Sequence, residues 1–376
     1  MRYYLLKPNF YIPLTKMKKN ILWLFCGFGL IALISSCSKD KTKPITTNTS
    51  TLGLYEYGVD SGKRAFIPVT KIGTQTVNYY SVFDTGSTGM TIDAHGIIPA
   101  SMITSTGISF TGDSTTVNGI TIHAGQYTLS YGNKTGLTKE YGYLAYAPVA
   151  IGNATGSMSA KRVPVFLYYK VVDVATGKTE TVDHSLDIFG VGPGYSYANS
   201  AIVSPLIYFN NDASLISGFK LAVLPRSQFS STGTYVAKLL KIGLTSADIT
   251  SNGFIMHPLT STGAGGYSPN IPSTVTYNGQ SVKTNVLFDS GTPLIATIEN
   301  KFAVNSTGQL PANTQVTITT NMGFTYTYTT TSTTNLTQVE NPNVTGDYRT
   351  IFGIDFFMEN EYLTDYVHHQ IGLKNN

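Results

Sequence analysis

Cysteine is nearly absent from this chain: of 376 residues only Cys26 and Cys37 are cysteine, and none follows residue 37. The body therefore holds no intrachain disulfide, and a cysteine nucleophile is excluded from it. Charge is scarce too, at 12% of residues against roughly 25% in an average soluble domain. The formal net charge of +4 comes from the leader, where Arg2, Lys7, Lys16, Lys18 and Lys19 stand before Cys37 with no acidic residue among them. From Cys37 onward 20 basic groups face 21 acidic ones, a net of −1, and nucleic acid is excluded as a partner for want of an electrostatic motive. His95, His123, His184, His257, His368 and His369 show no metal-ligand spacing and His-Glu-x-x-His is missing, so neither a metal nor another cofactor is expected. His368 and His369 fall on an expected strand, where neighbours point to opposite faces. There is no Gly-x-Ser-x-Gly elbow. Gly190-Val191-Gly192-Pro193-Gly194 makes a poor phosphate loop, because Pro193 lacks a donor N–H. Beyond the N-terminus no stretch has the period of a long amphipathic helix.

What remains is an all-β pattern: short runs of Thr, Val, Ile and Tyr punctuated by Gly, Asn and Pro. The N-terminus differs. Lys18 and Lys19 precede an apolar run over residues 21–34, too short to span a bilayer and the right length for a signal-peptide core. It ends in Leu33-Ile34-Ser35-Ser36-Cys37, which resembles the bacterial lipobox. That resemblance implies a signal peptide over residues 1–37, lipid on Cys37, and a location in the bacterial cell envelope, tied to the membrane through the lipid alone. Met17 offers a second possible start. Residues 38–52, rich in Lys and Thr, read as a solvated tether.

Internal similarity carries the functional signal. Ser81-Val82-Phe83-Asp84-Thr85-Gly86-Ser87 is echoed by Val286-Leu287-Phe288-Asp289-Ser290-Gly291-Thr292. Each Asp ends an apolar strand and is followed by a hydroxyl residue, a glycine and a second hydroxyl residue. Apolar strands continue at Met90-Thr91-Ile92 and at Leu294-Ile295-Ala296-Thr297-Ile298, and each half later repeats one tripeptide, Ile188-Phe189-Gly190 and Ile351-Phe352-Gly353. A single Asp-Thr-Gly would be an ordinary turn; two, each with its own strands and tripeptide, form a repeat.

Two carboxyls brought together this way have a defined chemistry. About 3 Å apart they cannot both ionise, so they share a proton and supply a general base and a general acid at once. Close approach of two loops requires residues without side chains, hence Gly86 and Gly291. Buried carboxyls require donors: Thr85 and Ser290 are placed to bond across to the opposite loop, Ser87 and Thr292 to reach the outer carboxylate oxygens.

These residues resemble the pepsin-like aspartic proteases over nearly everything after residue 53. Ile72-Gly73-Thr74-Gln75 is similar to the family's approach to its catalytic strand. Leu129-Ser130-Tyr131-Gly132-Asn133 is similar to its flap hairpin, which makes Tyr131 and Gly132 flap and substrate-binding residues, and Gly142-Tyr143-Leu144-Ala145-Tyr146 looks like the strand leaving it. The segment from Ile351 to Leu373 is similar to the family's closing segment. The resemblance implies a bilobal fold with pseudo-twofold symmetry: an N-terminal lobe over 53–229, a C-terminal lobe over 230–376, and a crossing near 226–232. It implies a monomeric aspartic endopeptidase with Asp84 and Asp289 as the catalytic pair and a polypeptide substrate bound extended between the lobes. The chain departs from the family in three places. Thr91 stands where a Trp usually holds the flap tyrosine, Pro293 replaces a hydroxyl residue, and the distance from Asp to the tripeptide glycine falls from 106 residues to 64. The missing Trp and the shortened second half fit the rival reading, a non-catalytic pepsin-fold binding or inhibitor protein on the cell surface. A basic prosegment of the usual kind has no room between Cys37 and the first expected strand.

Overall fold

The computed structural model describes residues 49–59, 62–132, 137–209, 212–263, 266–293, 296–303, 307–331 and 337–376. Residues 1–48, which hold Cys37, the expected signal peptide and most of the expected tether, lie outside the described residues, as do Asn133 and Leu294-Ile295. No helix among those described is long and apolar enough to cross a membrane.

Strands dominate because the apolar residues alternate. In Ile271–Tyr277 the side chains of Ile271, Ser273, Val275 and Tyr277 are buried, while Pro272 and Thr276 face outward. Asn-Gly pairs turn two hairpins. Asn118 and Gly119 join Ser114–Val117 to Ile120–Tyr131, and Asn278 and Gly279 join Ile271–Tyr277 to Gln280–Phe288, all four at positive φ. That is the mirror-image turn whose twist suits a two-residue hairpin.

Among the described residues the strands form a 15-stranded sheet, an 8-stranded sheet and a 2-stranded ribbon. Each large sheet contains the same unit. Gln75–Asp84 runs parallel to Ile188–Val191, with Val82, Phe83 and Asp84 facing Ile188, Phe189 and Gly190. Ile188–Val191 in turn pairs antiparallel with Thr88–Asp93. In the second sheet Gln280–Phe288 runs parallel to Arg349–Phe352, which pairs antiparallel with Ala296–Glu299. The repeated tripeptides are thus the strands that clamp the Asp-bearing strands from the side. One core runs beneath both units. Phe83 meets Phe219 edge to face at 5.8 Å between ring centroids, and Phe288 packs on Phe356 at 4.3 Å. A smaller core of Leu129, Phe166, Tyr168, Val171, Val182, Ala198 and Ile202 lies apart from it.

Three expectations need correction. The tether does not extend to residue 52: Ser50–Tyr57 is a strand, with Thr51 and Leu52 opposite Lys241 and Leu240. The chain does not change sheets near 226–232. Ile216–Leu221 and Thr234–Leu244 pair with each other, and the first sheet also takes Ile255–Pro258, Asn360–Asp365 and Gln370–Asn375. Only the segment from Ile271 to Phe352 builds the second sheet, so a cut at 229/230 divides the first one. Finally, His368 and His369 sit in the turn between the last two strands, His369 at φ +54°, stacked on Tyr267 at 3.6 Å. His368 reaches Asp365 at 2.6 Å.

Among the described residues Glu56 and Glu299 are acids buried without a cation. Glu56 is fully buried in Ser50–Tyr57, with no hydrogen-bond partner for either carboxyl oxygen among the described residues. Burial pushes it from 4.5 up to about 8. Glu299 is pushed to about 7 by burial and by the neighbouring Glu340. Between the ordinary value of 4.5 and these raised values the folded chain binds more protons than the unfolded one. The resulting stabilisation is complete below 4.5 and is lost as pH rises to about 8. Thermal unfolding should therefore occur at lower temperature at pH 8 than at pH 4. Glu56→Gln should flatten that slope, and an unchanged slope in the variant would rule out Glu56 as a cause.

Candidate active site

The two Asp loops meet between the sheets through reciprocal bonds. The Thr85 hydroxyl donates to the Phe288 carbonyl at 2.8 Å and accepts from the Ser290 N–H at 3.0 Å. The Ser290 hydroxyl donates to the Phe83 carbonyl at 2.7 Å and accepts from the Thr85 N–H at 3.1 Å. Both side chains are fully buried. Each hydroxyl satisfies one donor and one acceptor on the opposite loop, so neither loop can shift without orphaning the other.

The glycines account for the closeness. A Cβ on Gly86 would lie 2.4 Å from Cγ of Asp289, and one on Gly291 would lie 2.6 Å from Cγ of Asp84. Each glycine therefore gives its space to the carboxyl of the other loop. Gly190 follows the same rule one layer further out, where a Cβ would meet the Ser87 hydroxyl at 2.8 Å.

Each carboxyl is held at both oxygens. Asp84 Oδ1 accepts from the Gly86 N–H at 2.7 Å and the Ser87 N–H at 3.2 Å, and Oδ2 accepts from the Ser87 hydroxyl at 2.5 Å. Asp289 repeats this, with the Gly291 N–H at 2.8 Å on Oδ1 and the Thr292 hydroxyl at 2.6 Å on Oδ2. The structure thus brings together Asp84, Thr85, Gly86, Ser87, Asp289, Ser290, Gly291 and Thr292. Burial holds the Asp84 carboxyl well above the usual carboxylate range, and the charge of Asp289 and a hydrogen bond with it push the same way. The Ser87 and Gly86 bonds oppose the shift without cancelling it. A pair of this kind keeps a proton that an isolated carboxyl would have lost.

Tyr131 and Gly132 stand at the end of the long hairpin formed by Ile120–Tyr131 and Thr138–Asn153. Tyr131 is half-buried, Gly132 is exposed at φ +94°, and Asn133 lies outside the described residues. Burial raises the Tyr131 phenol, and Glu140 and Asp84 add to it in that order. The hydroxyl therefore lies within electrostatic reach of the pair. Thr91, the residue in the Trp position, acts on the phenol in the opposite direction. Thr91 is buried, and its hydroxyl accepts from the Ile188 N–H at 3.2 Å.

Sequence reasoning missed two residues near this centre. Arg349 holds Asp347 with a two-pronged bond, Nε at 2.9 Å and Nη2 at 2.6 Å, and Asp289 adds to the stabilisation of its charge. Glu140 lies fully buried behind Tyr131. Neither falls in a repeated motif, and only the strand register, opposite Asn285 and Leu129 respectively, could have placed them. No group of three or more His, Cys, Asp or Glu among the described residues could hold a metal ion.

No known family's sequence profile matches this chain, and no curated protein sequence matches it. Its three-dimensional structure does match. It is similar to the crystal structure of an aspartic proteinase from Irpex lacteus, with a TM-score of 0.57 and 16% identity, covering 87% of this chain and 97% of that one. The chain has the bilobal pepsin-like fold, at a sequence distance where the fold alone is shared.

Ser290→Ala removes a buried donor and a buried acceptor at once. Urea denaturation should show a loss of about 1–3 kcal/mol for the orphaned partners. Adding Thr85→Val should cost less than the sum of the two single changes, since both act on one network. Additive losses would mean that the two hydroxyls do not work as a unit.

Proposed function

We propose that the chain is an aspartic endopeptidase that hydrolyses peptide bonds with a water activated between Asp84 and Asp289. The observation that carries the reading is the paired geometry: two carboxyls, each packed against the glycine of the opposite loop, with matching N–H and hydroxyl donors. A metal-free hydrolysis needs little else. The ionised member of the pair takes a proton from water as its oxygen attacks the carbonyl carbon, and the protonated member gives its proton to the carbonyl oxygen. The tetrahedral gem-diol then collapses. The carboxyl that took the water's proton gives it to the leaving nitrogen, the C–N bond breaks, and a gem-diol hydroxyl returns its proton to the other carboxylate, which leaves the pair singly protonated. The two carboxyls titrate together, so base and acid belong to the pair.

The polypeptide substrate would lie extended between the lobes, with Tyr131 and Gly132 closing over it and a single chain sufficing for the site. Cys37 would carry the lipid that ties the enzyme to the bacterial envelope. With the first strand beginning at Ser50, the segment 38–49 is 12 residues, at most about 43 Å when fully extended. That is short for both a membrane spacer and a prosegment filling a peptide cleft, so the exported chain should act without trimming.

Asp84→Asn and Asp289→Asn should each lower turnover of a peptide library by about 10³-fold, the usual scale of general acid–base catalysis, with the fold preserved. Turnover should peak at acid pH and fall as the pair loses its second proton. A folded wild-type chain that binds a hydroxyethylene peptide mimic but cleaves nothing from pH 2 to 8 would replace the enzyme with a binding protein of the same fold. Mass spectrometry of the envelope-bound protein should find a lipidated N-terminal Cys37, and an unmodified N-terminus elsewhere would remove the anchor from the proposal.

A further inference from the structure

The solvent-facing side of the second sheet carries a pattern that its folding does not require. The strands fold through their other face, where Ile271, Val275, Val286 and Ile318 are buried. Residues opposite one another in a ladder share a face. On the outward face Thr274 stands between Lys283 and Thr319, Thr276 between Ser281 and Thr317, and Pro272 beside Asn285. Thr319 and Thr317 are followed on the next strand by Thr325 and Thr327. The hydroxyls meet across the strands, Thr276 and Ser281 at 3.1 Å and Thr317 and Thr327 at 2.9 Å, both pairs exposed.

A cavity of about 860 Å³ opens on this floor, within the range of about 300–1,000 Å³ usual for small-molecule sites. Thr274, Ser281, Asn285, Thr319, Asn321 and Asn343 line it, together with Phe302 and Tyr348. It lies apart from the Asp pair. Asn285 and Lys283 precede Asp289 by four and six residues, about 13 and 20 Å at the rise of an extended strand.

Two loops form the cavity wall, and they are pinned to each other. The Asn300 N–H donates to the Glu340 carbonyl at 2.8 Å, and the Asn341 side-chain amide donates to the Ala303 carbonyl at 3.0 Å. The Asn300 side chain works within the wall, its nitrogen donating to the Tyr277 hydroxyl at 2.7 Å and its oxygen accepting from the Phe302 N–H at 2.9 Å. From this fixed wall Phe302 stands 80% exposed and Tyr348 66% exposed. Large rings held in water by rigid loops gain from being covered, and lose little entropy when they are.

The lining decides what covers them. An added peptide strand is excluded from the floor, because Ile271–Tyr277, Gln280–Phe288 and Gln315–Thr320 already have both edges paired. An anion finds little: Lys301 lies over the Phe302 ring, Nζ 5.0 Å from its centroid, and leaves Lys283 as the other lysine of the lining. The acid of the lining, Glu299, is buried with the Thr345 hydroxyl on its carboxyl oxygens at 3.2 and 3.3 Å. What the cavity offers is hydroxyls and amides, which both donate and accept, beside flat apolar rings. Sugars present the matching chemistry, hydroxyls that donate and accept around a ring whose C–H face stacks on an aromatic one.

We propose that this cavity binds a neutral oligosaccharide, stacked on Phe302 and Tyr348 and hydrogen-bonded to the Thr, Ser and Asn side chains of the floor. The inference stands apart from the peptidase reading, since neither ring belongs to the Asp loops.

Native electrophoresis of the full chain through gels containing laminarin, xyloglucan, arabinoxylan, galactomannan or soluble starch tests it. At least one of these neutral polysaccharides should retard the chain. Calorimetry with that polysaccharide should give an affinity that about 0.5 M salt changes by less than about twofold, because no charge pair carries it. Phe302→Ala and Tyr348→Ala should each weaken binding by about tenfold or more, Thr319→Val by about three- to tenfold, and Tyr348→Phe should retain it. Urea midpoints report whether each variant keeps the fold. Where an alanine variant does not, Phe302→Gln or Tyr348→Gln, which keeps bulk without a ring, replaces it. No retardation by any of the five polysaccharides overturns the proposal, as does retardation that survives loss of both rings. Binding confined to an anionic polysaccharide such as polygalacturonate, and abolished by salt or by Lys283→Gln, also overturns it.

Discussion

Two loops pressed together without side chains between them set the terms for the rest of this molecule. Gly86 and Gly291 each give up their space to the other loop's carboxyl, and that contact would repel itself apart if nothing else held it. The crossed hydroxyls of Thr85 and Ser290 do so, four hydrogen bonds between buried partners. Behind them, Phe83 and Phe288 anchor the loops in the core, and the strands of the two Ile-Phe-Gly tripeptides fix their direction. Apolar burial supplies the rigidity, and the rigidity makes a shared proton sustainable.

The pair itself was legible because its requirements are local and repeated. Asp, hydroxyl residue, glycine and hydroxyl residue occur in order, twice, and each type has one physical reason to be there. The lobe plan was legible only in outline. By the expected boundary Ile216–Leu221 ends the first lobe and Thr234–Leu244 begins the second. Their partners, Ser50–Tyr57 and Asn360–Asp365, come from the far ends of the chain, and no periodicity announces pairing at that range. Ser50 and Thr51 look like tether by composition, and only the ladder to Lys241 and Ile242 makes them strand. His368-His369 failed for the opposite reason: a tight turn sits inside an apolar, strand-like run.

Glu140 shows a different limit. A glutamate in an alternating strand normally faces water, since carboxylates are almost never fully buried unless paired. Whether it faces water here depends on what packs against that face of the hairpin, the cluster that holds Phe166, Val182, Ala198 and Ile202. Together with Glu56 and Glu299 it gives the molecule several acids that burial keeps uncharged. The proposed chemistry, which needs a protonated carboxyl, and a fold that tolerates protonated carboxyls therefore favour the same side of neutrality.

The closing strands of the first sheet have a consequence for how the molecule comes into being. Gln370–Asn375 lies between Asn360–Asp365 and Ile255–Pro258, and Asn360–Asp365 lies against Ile216–Leu221. The sheet that begins at Ser50 is thus completed by the strands Asn360–Asp365 and Gln370–Asn375, far along the chain from it. Pairings that join chain ends carry a large loop-closure entropy and form late. Until Asn360–Asp365 arrives, Ile216–Leu221 keeps one edge open among the described strands, and the first sheet stays incomplete.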